Sequence, residues 1–173
     1  KQSSIRVSGN LDKHTISIQS EKTASDPNLM SLIEGSYDNQ AWSAKIIKLA
    51  LNNKHSKLAL AKPDTITISN NQINNNNLCL AHEDQTICAK LMLNTNNFSW
   101  QAHVNSDHFD LENLSNLNFL SNLITIRSGS IAGDMTINAN KKGTISPHGY
   151  FNIKDAQLYL KEQNIYPTLS SFS

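Results

Sequence analysis

The chain has 173 residues and a nearly balanced charge, with 15 basic and 14 acidic residues and a net charge of +1. This balance excludes the basic footprint of a nucleic-acid-binding domain, and no segment has the roughly 20 consecutive apolar residues of a transmembrane helix. Apolar residues make up 38% of the sequence, which fits a single-layer sheet better than a thick two-layer core. Because the chain begins at Lys1 with neither an initiator methionine nor a signal peptide, we expect residues 1–173 to be a single segment of a longer protein.

Alternation of apolar and polar residues dominates the chain and predicts about twelve short antiparallel strands in up-and-down order. In chain order, the alternating runs are residues 14–18, 42–51, 58–60, 65–68, 78–80, 87–93, 98–104, 135–137, 150–153 and 157–160. Within the second run the alternation changes phase at Ile46-Ile47, which predicts a β-bulge or bend there. Asparagine, glycine and proline separate the runs, and we interpret the asparagine runs as loop chemistry and compositional drift.

Cys79 and Cys88 are the two cysteines of the chain, and each is out of phase with the aliphatic residues beside it. A hairpin through the loop 81–86 would therefore place both sulfurs on one face and the aliphatic side chains on the other. Residues that face each other on antiparallel strands are close enough for a disulfide. We expect a Cys79–Cys88 disulfide, which persists in oxidising compartments, with two free thiols as the alternative.

One segment departs from the strand pattern. Apolar residues at spacings of three and four over residues 109–123 predict a short amphipathic helix, about 110–123. Asp110 is a candidate for its N-cap. We expect this helix to cover one edge or end of the sheet.

Catalytic and metal-binding signals are weak throughout the chain. The residue types of metal ligands cluster at His103, Asp107, His108 and Asp110, but their strand and turn positions do not bring them together, so we expect no metal. The sequence has no Gly-x-Ser-x-Gly elbow, no P-loop and no dinucleotide fingerprint. We therefore expect no catalytic residues, no cofactor and no enzyme activity.

Several short motifs follow one another in an order that resembles a known family. They are residues 35–42, 58–63, 78–80, 87–88, 98–100, 110–114, 129–133 and 149–160. This order resembles the middle-to-late part of the TamB family, the translocation and assembly module subunits among the AsmA-like, bridge-like lipid-transfer proteins. The likeness extends over most of the chain and indicates an internal fragment.

The resemblance implies an all-β fold in which one elongated antiparallel sheet curls lengthwise into an open groove, the β-taco, with an apolar inner face. It implies a periplasmic segment of a chain whose anchor in the inner membrane of a Gram-negative bacterium lies outside these residues. It also implies that the groove binds acyl chains and moves phospholipid between the inner and outer membranes. The outer-membrane barrel TamA would be a partner in outer-membrane protein assembly.

Strand parity then selects the residues that would line such a groove. We expect them to be Ile16, Ile18, Leu58, Leu60, Ile66, Ile68, Leu91, Leu93, Met135, Ile137, Phe151 and Ile153. In a closed β-sandwich the same residues would be an ordinary core. Two further alternatives stay open: an extracellular or periplasmic sandwich or scaffold module that binds a protein or glycan, and an arm whose strand edges pair with a nascent outer-membrane protein.

Overall fold

One antiparallel sheet of 13 strands forms the protein, in a computed structural model that describes residues 3–20, 28–52, 57–114, 124–160 and 168–172. The strands are β1 (Ser3–Gly9), β2 (His14–Ser20), β3 (Asn28–Asp38), β4 (Ala41–Asn52), β5 (Lys57–Leu60), β6 (Asp64–Ile68), β7 (Gln72–Asn75), β8 (Leu78–His82), β9 (Gln85–Asn94), β10 (Trp100–Asp110), β11 (Ile124–Ala139), β12 (Ile145–Leu160) and β13 (Thr168–Phe172). Most strands pair with the strand that follows them in the chain, as the up-and-down order predicts. The expected all-β fold is confirmed.

Two broken strands occupy the middle of the sheet. β5 and β6 run in the same direction and both pair with β4, through its last and first residues respectively. β7 and β8 pair in the same way with β9. Residues 61–63 separate β5 from β6, and Pro63 is tolerated at this break because it has no N–H to donate to a ladder. A line drawn across the sheet from β1 to β13 therefore crosses 11 strands. At two places along this line, two short strands lie end to end where one long strand would otherwise be.

Bulges and a glycine bend the sheet into its curled form. The pairing of β3 with β4 shifts so that Ile47 has no partner, which is the bulge predicted from the change of phase. Further register shifts interrupt the pairing of β10 with β11 and of β11 with β12. Gly149 has a φ of 120°, and a Cβ there would lie 2.2 Å from the carbonyl oxygen of Asp134 on β11. Bulges and glycine kinks of this kind are what give a sheet curvature.

The segment predicted to be a helix lies only partly within the described residues. β10 continues to Asp110, a 3-10 helix follows at Leu111–Leu114, and residues 115–123 lie outside the described ranges. The Asp110 carboxylate accepts a hydrogen bond from Nε2 of Gln85 at 2.7 Å, and the Asp110 backbone N–H donates to Oε1 of the same glutamine. The Gln85 amide therefore fastens the start of the 3-10 helix to the first residue of β9.

No second layer covers the sheet in the described residues. All extensive contacts between the described elements are between strands that pair in the sheet, or between the 3-10 helix and β10 or β11. Among the residues whose burial the structure describes, few apolar ones are buried, namely Ala44, Ile46, Leu58, Cys79, Phe109, Ala139 and Ala156. This is the burial of an open sheet, since a closed sandwich would bury alternate residues along most strands. None of the described helical residues form a segment long and apolar enough to cross a membrane.

Candidate functional site: an uncovered apolar face

The pairing register assigns the side chains of the sheet to two faces. Cys79 and Cys88 are direct partners, so both lie on one face, and the residues on either side of each lie on the other. Following the paired residues from strand to strand extends both faces continuously from β1 to β12. We call the face that carries the disulfide the polar face and the opposite one the apolar face.

The two faces differ sharply in composition where β9, β10, β11 and β12 lie side by side. One row across these strands on the apolar face consists of Leu91, Ala102, Ile137 and Pro147. The neighbouring row on the polar face consists of Lys90, His103, Thr136 and His148. Because no layer covers the apolar face here, Leu91 is 41% exposed.

All twelve residues predicted to line a groove lie on the apolar face. They are Ile16, Ile18, Leu58, Leu60, Ile66, Ile68, Leu91, Leu93, Met135, Ile137, Phe151 and Ile153. They are spread from β2 to β12; Leu58 is buried at 2% exposure, and the other eleven form an extended surface instead of one pocket. That these side chains contact lipid stays a prediction.

Cross-strand hydrogen bonds organise the polar face. His103 lies 3.0 Å from Oγ1 of Thr136 through Nδ1 and 3.3 Å from the carboxylate of Asp134 through Nε2. His108 pairs instead with Asp110, at 3.3 Å. The residues with metal-ligand side chains around β10 are thus divided between different partners, and in the part of the chain that the structure describes no three such residues form a metal-binding group.

The predicted disulfide is confirmed. Cys79 and Cys88 are bonded, with their Cα atoms 4.0 Å apart. The hairpin is tighter than the expected loop 81–86, because β8 continues to His82 and β9 begins at Gln85, which leaves a two-residue turn. Such a turn fixes the register of the hairpin, and so the placement of both sulfurs on the polar face.

Removal of the disulfide is expected to lower the free energy of unfolding by about 2.7 kcal/mol, because a closed loop of roughly ten residues no longer restricts the unfolded chain. Urea unfolding of the Cys79→Ala, Cys88→Ala double variant would measure the loss. Reduced wild-type protein is the matched control, since it lacks the covalent link but keeps the side chains. A double variant as stable as the oxidised protein would contradict the expectation.

A buried carboxylate and two asparagines join the broken strands. Asp64 is buried, and its carboxylate accepts hydrogen bonds from Nδ2 of Asn75 and from the backbone N–H of Asn77, each at 3.0 Å. The Asn75 amide also donates to the carbonyl of Ala89 and accepts from the N–H of Leu91. It therefore supplies the partners that the β9 backbone lacks where β7 ends. The sequence interpretation of this asparagine run as loop chemistry and compositional drift missed that role, because the partners lie on other strands.

The β1–β4 corner of the apolar face contains a concavity of about 430 Å³, lined by Val7, Gly9, Asn10, Leu11, His14, Ile16, Tyr37 and Trp42. Nε1 of Trp42 donates a hydrogen bond to Nε2 of His14 at 2.8 Å, and the two ring planes are nearly parallel, with their centroids 6.0 Å apart. Gly35 is the β3 partner of His14, and a Cβ there would lie 2.2 Å from Nε2 of the imidazole. Glycine at this position therefore makes room for the His14–Trp42 pair.

Comparison with known proteins identifies the family of the chain. The family model described as TamB, N-terminal domain, matches residues 1–171. No curated protein and no solved structure matches the chain. The sequence motifs suggested the middle-to-late part of the family, whereas the matched model is that of the N-terminal domain. Short motifs in a sheet built of similar hairpins identify the family better than they identify a position along it.

Proposed function

Since this chain belongs to the TamB family of bacterial envelope proteins, we propose that it is a periplasmic segment of a groove that conducts phospholipid between the inner and outer membranes. In this proposal the apolar face binds acyl chains and the polar face meets water. The full-length protein would be anchored in the inner membrane and would support outer-membrane protein assembly with TamA. No catalytic step is needed, because the groove acts by binding alone.

One observation carries the proposal: the apolar face continues from β1 to β12, interrupted by the hydrogen-bonded Asp64 and Asn75, and no other layer covers it in the described residues. An acyl chain gains about 0.8 kcal/mol for each CH₂ group that it buries, and it needs no polar partner. Successive rows of aliphatic side chains offer nearly equal contacts, so a bound tail can move from one row to the next. A large exposed apolar surface of this kind marks a binding surface.

The polar face supports the proposed compartment. Its Cys79–Cys88 disulfide is a bond that persists in oxidising compartments such as the periplasm. The hydrogen bonds of His103 and Gln101 across β10 and β11 also suit a face in contact with water. Because the disulfide lies on this face, it stabilises the sheet without intruding on the path proposed for lipid.

Two consecutive residues of β9 give a matched test. Leu91 lies on the apolar face and is 41% exposed, whereas Met92 lies on the polar face and is 40% exposed. We expect native mass spectrometry of protein purified from periplasm, followed by solvent extraction, to find phospholipid on the wild type and on Met92→Asp. Leu91→Asp should retain at least about tenfold less, because it places a carboxylate against hydrocarbon. Ile137→Asp, in the same cross-strand row, should behave like Leu91→Asp.

Circular dichroism would establish that each variant keeps its sheet. If the folded wild-type protein carries no lipid, the proposal fails, and the scaffold module that binds a protein or glycan becomes the better explanation. Equal loss of lipid from Leu91→Asp and Met92→Asp would show that retention does not depend on the apolar face.

A further inference from the structure

A row of uncharged side chains crosses the polar face where β6, β7, β9, β10, β11 and β12 lie side by side. In that order, direct pairing aligns Thr67, Asn74, Met92, Gln101, Asn138 and Ser146. We call them the uncharged row. We propose that the uncharged row binds a neutral, N-acetylated glycan strand. This site is on the face opposite to the proposed lipid path and does not depend on lipid conduction.

The length of the uncharged row suits a linear polymer. Neighbouring strands are about 4.8 Å apart, so a row across six strands extends over roughly 24 Å. Once one unit of a linked chain is bound, the next unit is held close to the next strand, and weak contacts add along the row. An oligosaccharide of several units can therefore use a surface that would hold a single sugar only weakly.

A concavity of about 340 Å³ lies over the middle of the row. Its lining includes Met92, Gln101 and Asn138 from the row, together with Gln72 and Asn94, which are direct partners and form the next pair on the same face. None of the described residues that line it carries a charge. Met92 is 40% exposed and offers an adaptable apolar contact to the C–H groups of a sugar ring.

The side-chain amides in this concavity keep hydrogen-bonding groups available. Nε2 of Gln101 donates to Oδ1 of Asn138 at 2.8 Å, which uses one donor and one acceptor of the pair. Oε1 of Gln101, Nδ2 of Asn138 and the side-chain amide of Gln72 have no hydrogen-bond partner among the described residues. An acetamido group has one N–H and one carbonyl, so it can pair with an amide acceptor and an amide donor at once.

Other classes of ligand fit the uncharged row less well. A phosphate or an anionic headgroup would lack a cationic partner, because no basic side chain is among the described residues that line the concavity. An acyl chain would bury the amides without giving them partners. A peptide that adds to a sheet needs a free strand edge, but β7, β9, β10 and β11 each pair on both sides.

Isothermal titration calorimetry with chitohexaose, the neutral hexamer of N-acetylglucosamine, tests the site. Gln101 and Gln19 are both exposed glutamines on the polar face, but only Gln101 belongs to the uncharged row. Gln101→Ala should raise the dissociation constant about fivefold, which corresponds to the loss of one hydrogen bond, and Gln19→Ala should leave it unchanged. Asn138→Ala removes the partner of Gln101 and should weaken binding to a similar extent.

The absence of saturable binding to the wild-type protein would overturn the proposal, as would equal affinities of Gln101→Ala and the wild type. Cellohexaose lacks the acetamido groups and should bind at least about fivefold more weakly, so equal binding of the two sugars would refute acetamido recognition. If an unstructured peptide binds instead, and Gln101→Ala abolishes that binding, the row belongs to a protein partner and the glycan assignment is wrong.

The same variants separate this proposal from the lipid-conducting role. Gln101 and Leu91 lie on opposite faces of neighbouring strands. Gln101→Ala should therefore retain phospholipid as the wild type does, and Leu91→Asp should keep its affinity for chitohexaose. If no phospholipid is retained but chitohexaose binds with this pattern, the lipid-conducting role fails and the glycan site stands.

Discussion

Phe109→Ala is expected to lower the free energy of unfolding by about 3–5 kcal/mol. Phe109 is fully buried on the apolar face, at the bulge between β10 and β11 and two residues before the first residue of the 3-10 helix Leu111–Leu114. Few of the described side chains are buried, so a large void here removes a substantial part of their packing. Urea unfolding monitored by circular dichroism would measure the loss.

The chain supplies a control with the same chemistry. Phe98 is 73% exposed in the turn between β9 and β10, and Phe98→Ala should change stability by no more than about 0.5 kcal/mol. If the two alanine variants were equally stable, burial of Phe109 would not contribute what the structure indicates. The stability of the uncovered sheet would then not depend on the side chains packed beside the 3-10 helix.

Gly149→Val should destabilise the protein by at least about 3 kcal/mol. The φ of 120° is one that L-residues rarely adopt, and the new Cβ would lie 2.2 Å from the backbone carbonyl of Asp134. This neighbour is a carbonyl of the paired strand, so it cannot move aside as a flexible side chain can. The bend in β12, and with it the pairing of β11 with β12, must change to accommodate valine.

Gly143→Ala separates conformational strain from the steric clash. Gly143 has a φ of 77° in the turn between β11 and β12, and a Cβ there would meet nothing within 4 Å. Its replacement should cost only about 1–2 kcal/mol, the penalty of a left-handed conformation for an L-residue. Thermal unfolding of both variants would give the comparison, and equal losses would refute the clash with Asp134.

The location of the buried residues explains how such a sheet can stay open. Buried side chains occur beside the broken strands, as with Leu58, and beside the 3-10 helix, as with Phe109. Between them the Asp64–Asn75 hydrogen bonds and the disulfide hold neighbouring strands together by polar and covalent means. Stability therefore does not require a second layer on the apolar face.

The amino-acid sequence by itself determined which face each side chain joins. The period of two along a strand is local, so alternation placed Leu91 and Ile137 on one face and Cys79 and Cys88 on the other before any pairing was known. The bulge at Ile47 was predictable for the same reason, since an extra residue shifts the phase of the pattern. The family resemblance also came from the order of motifs along the chain.

Only the tertiary structure decided which distant residues meet. His14 and Trp42 are 28 residues apart in the sequence, and Asp64 and Asn75 are 11 residues apart. Neither contact can therefore be predicted from the local alternation of apolar and polar residues. The breaks between β5 and β6 and between β7 and β8 depend on how four strands share β4 and β9. Whether another layer covers the apolar face is likewise a property of the whole sheet. A strand that packs against a second layer and a strand that packs against a lipid have the same alternation of apolar and polar residues, because both bury the side chains of one face.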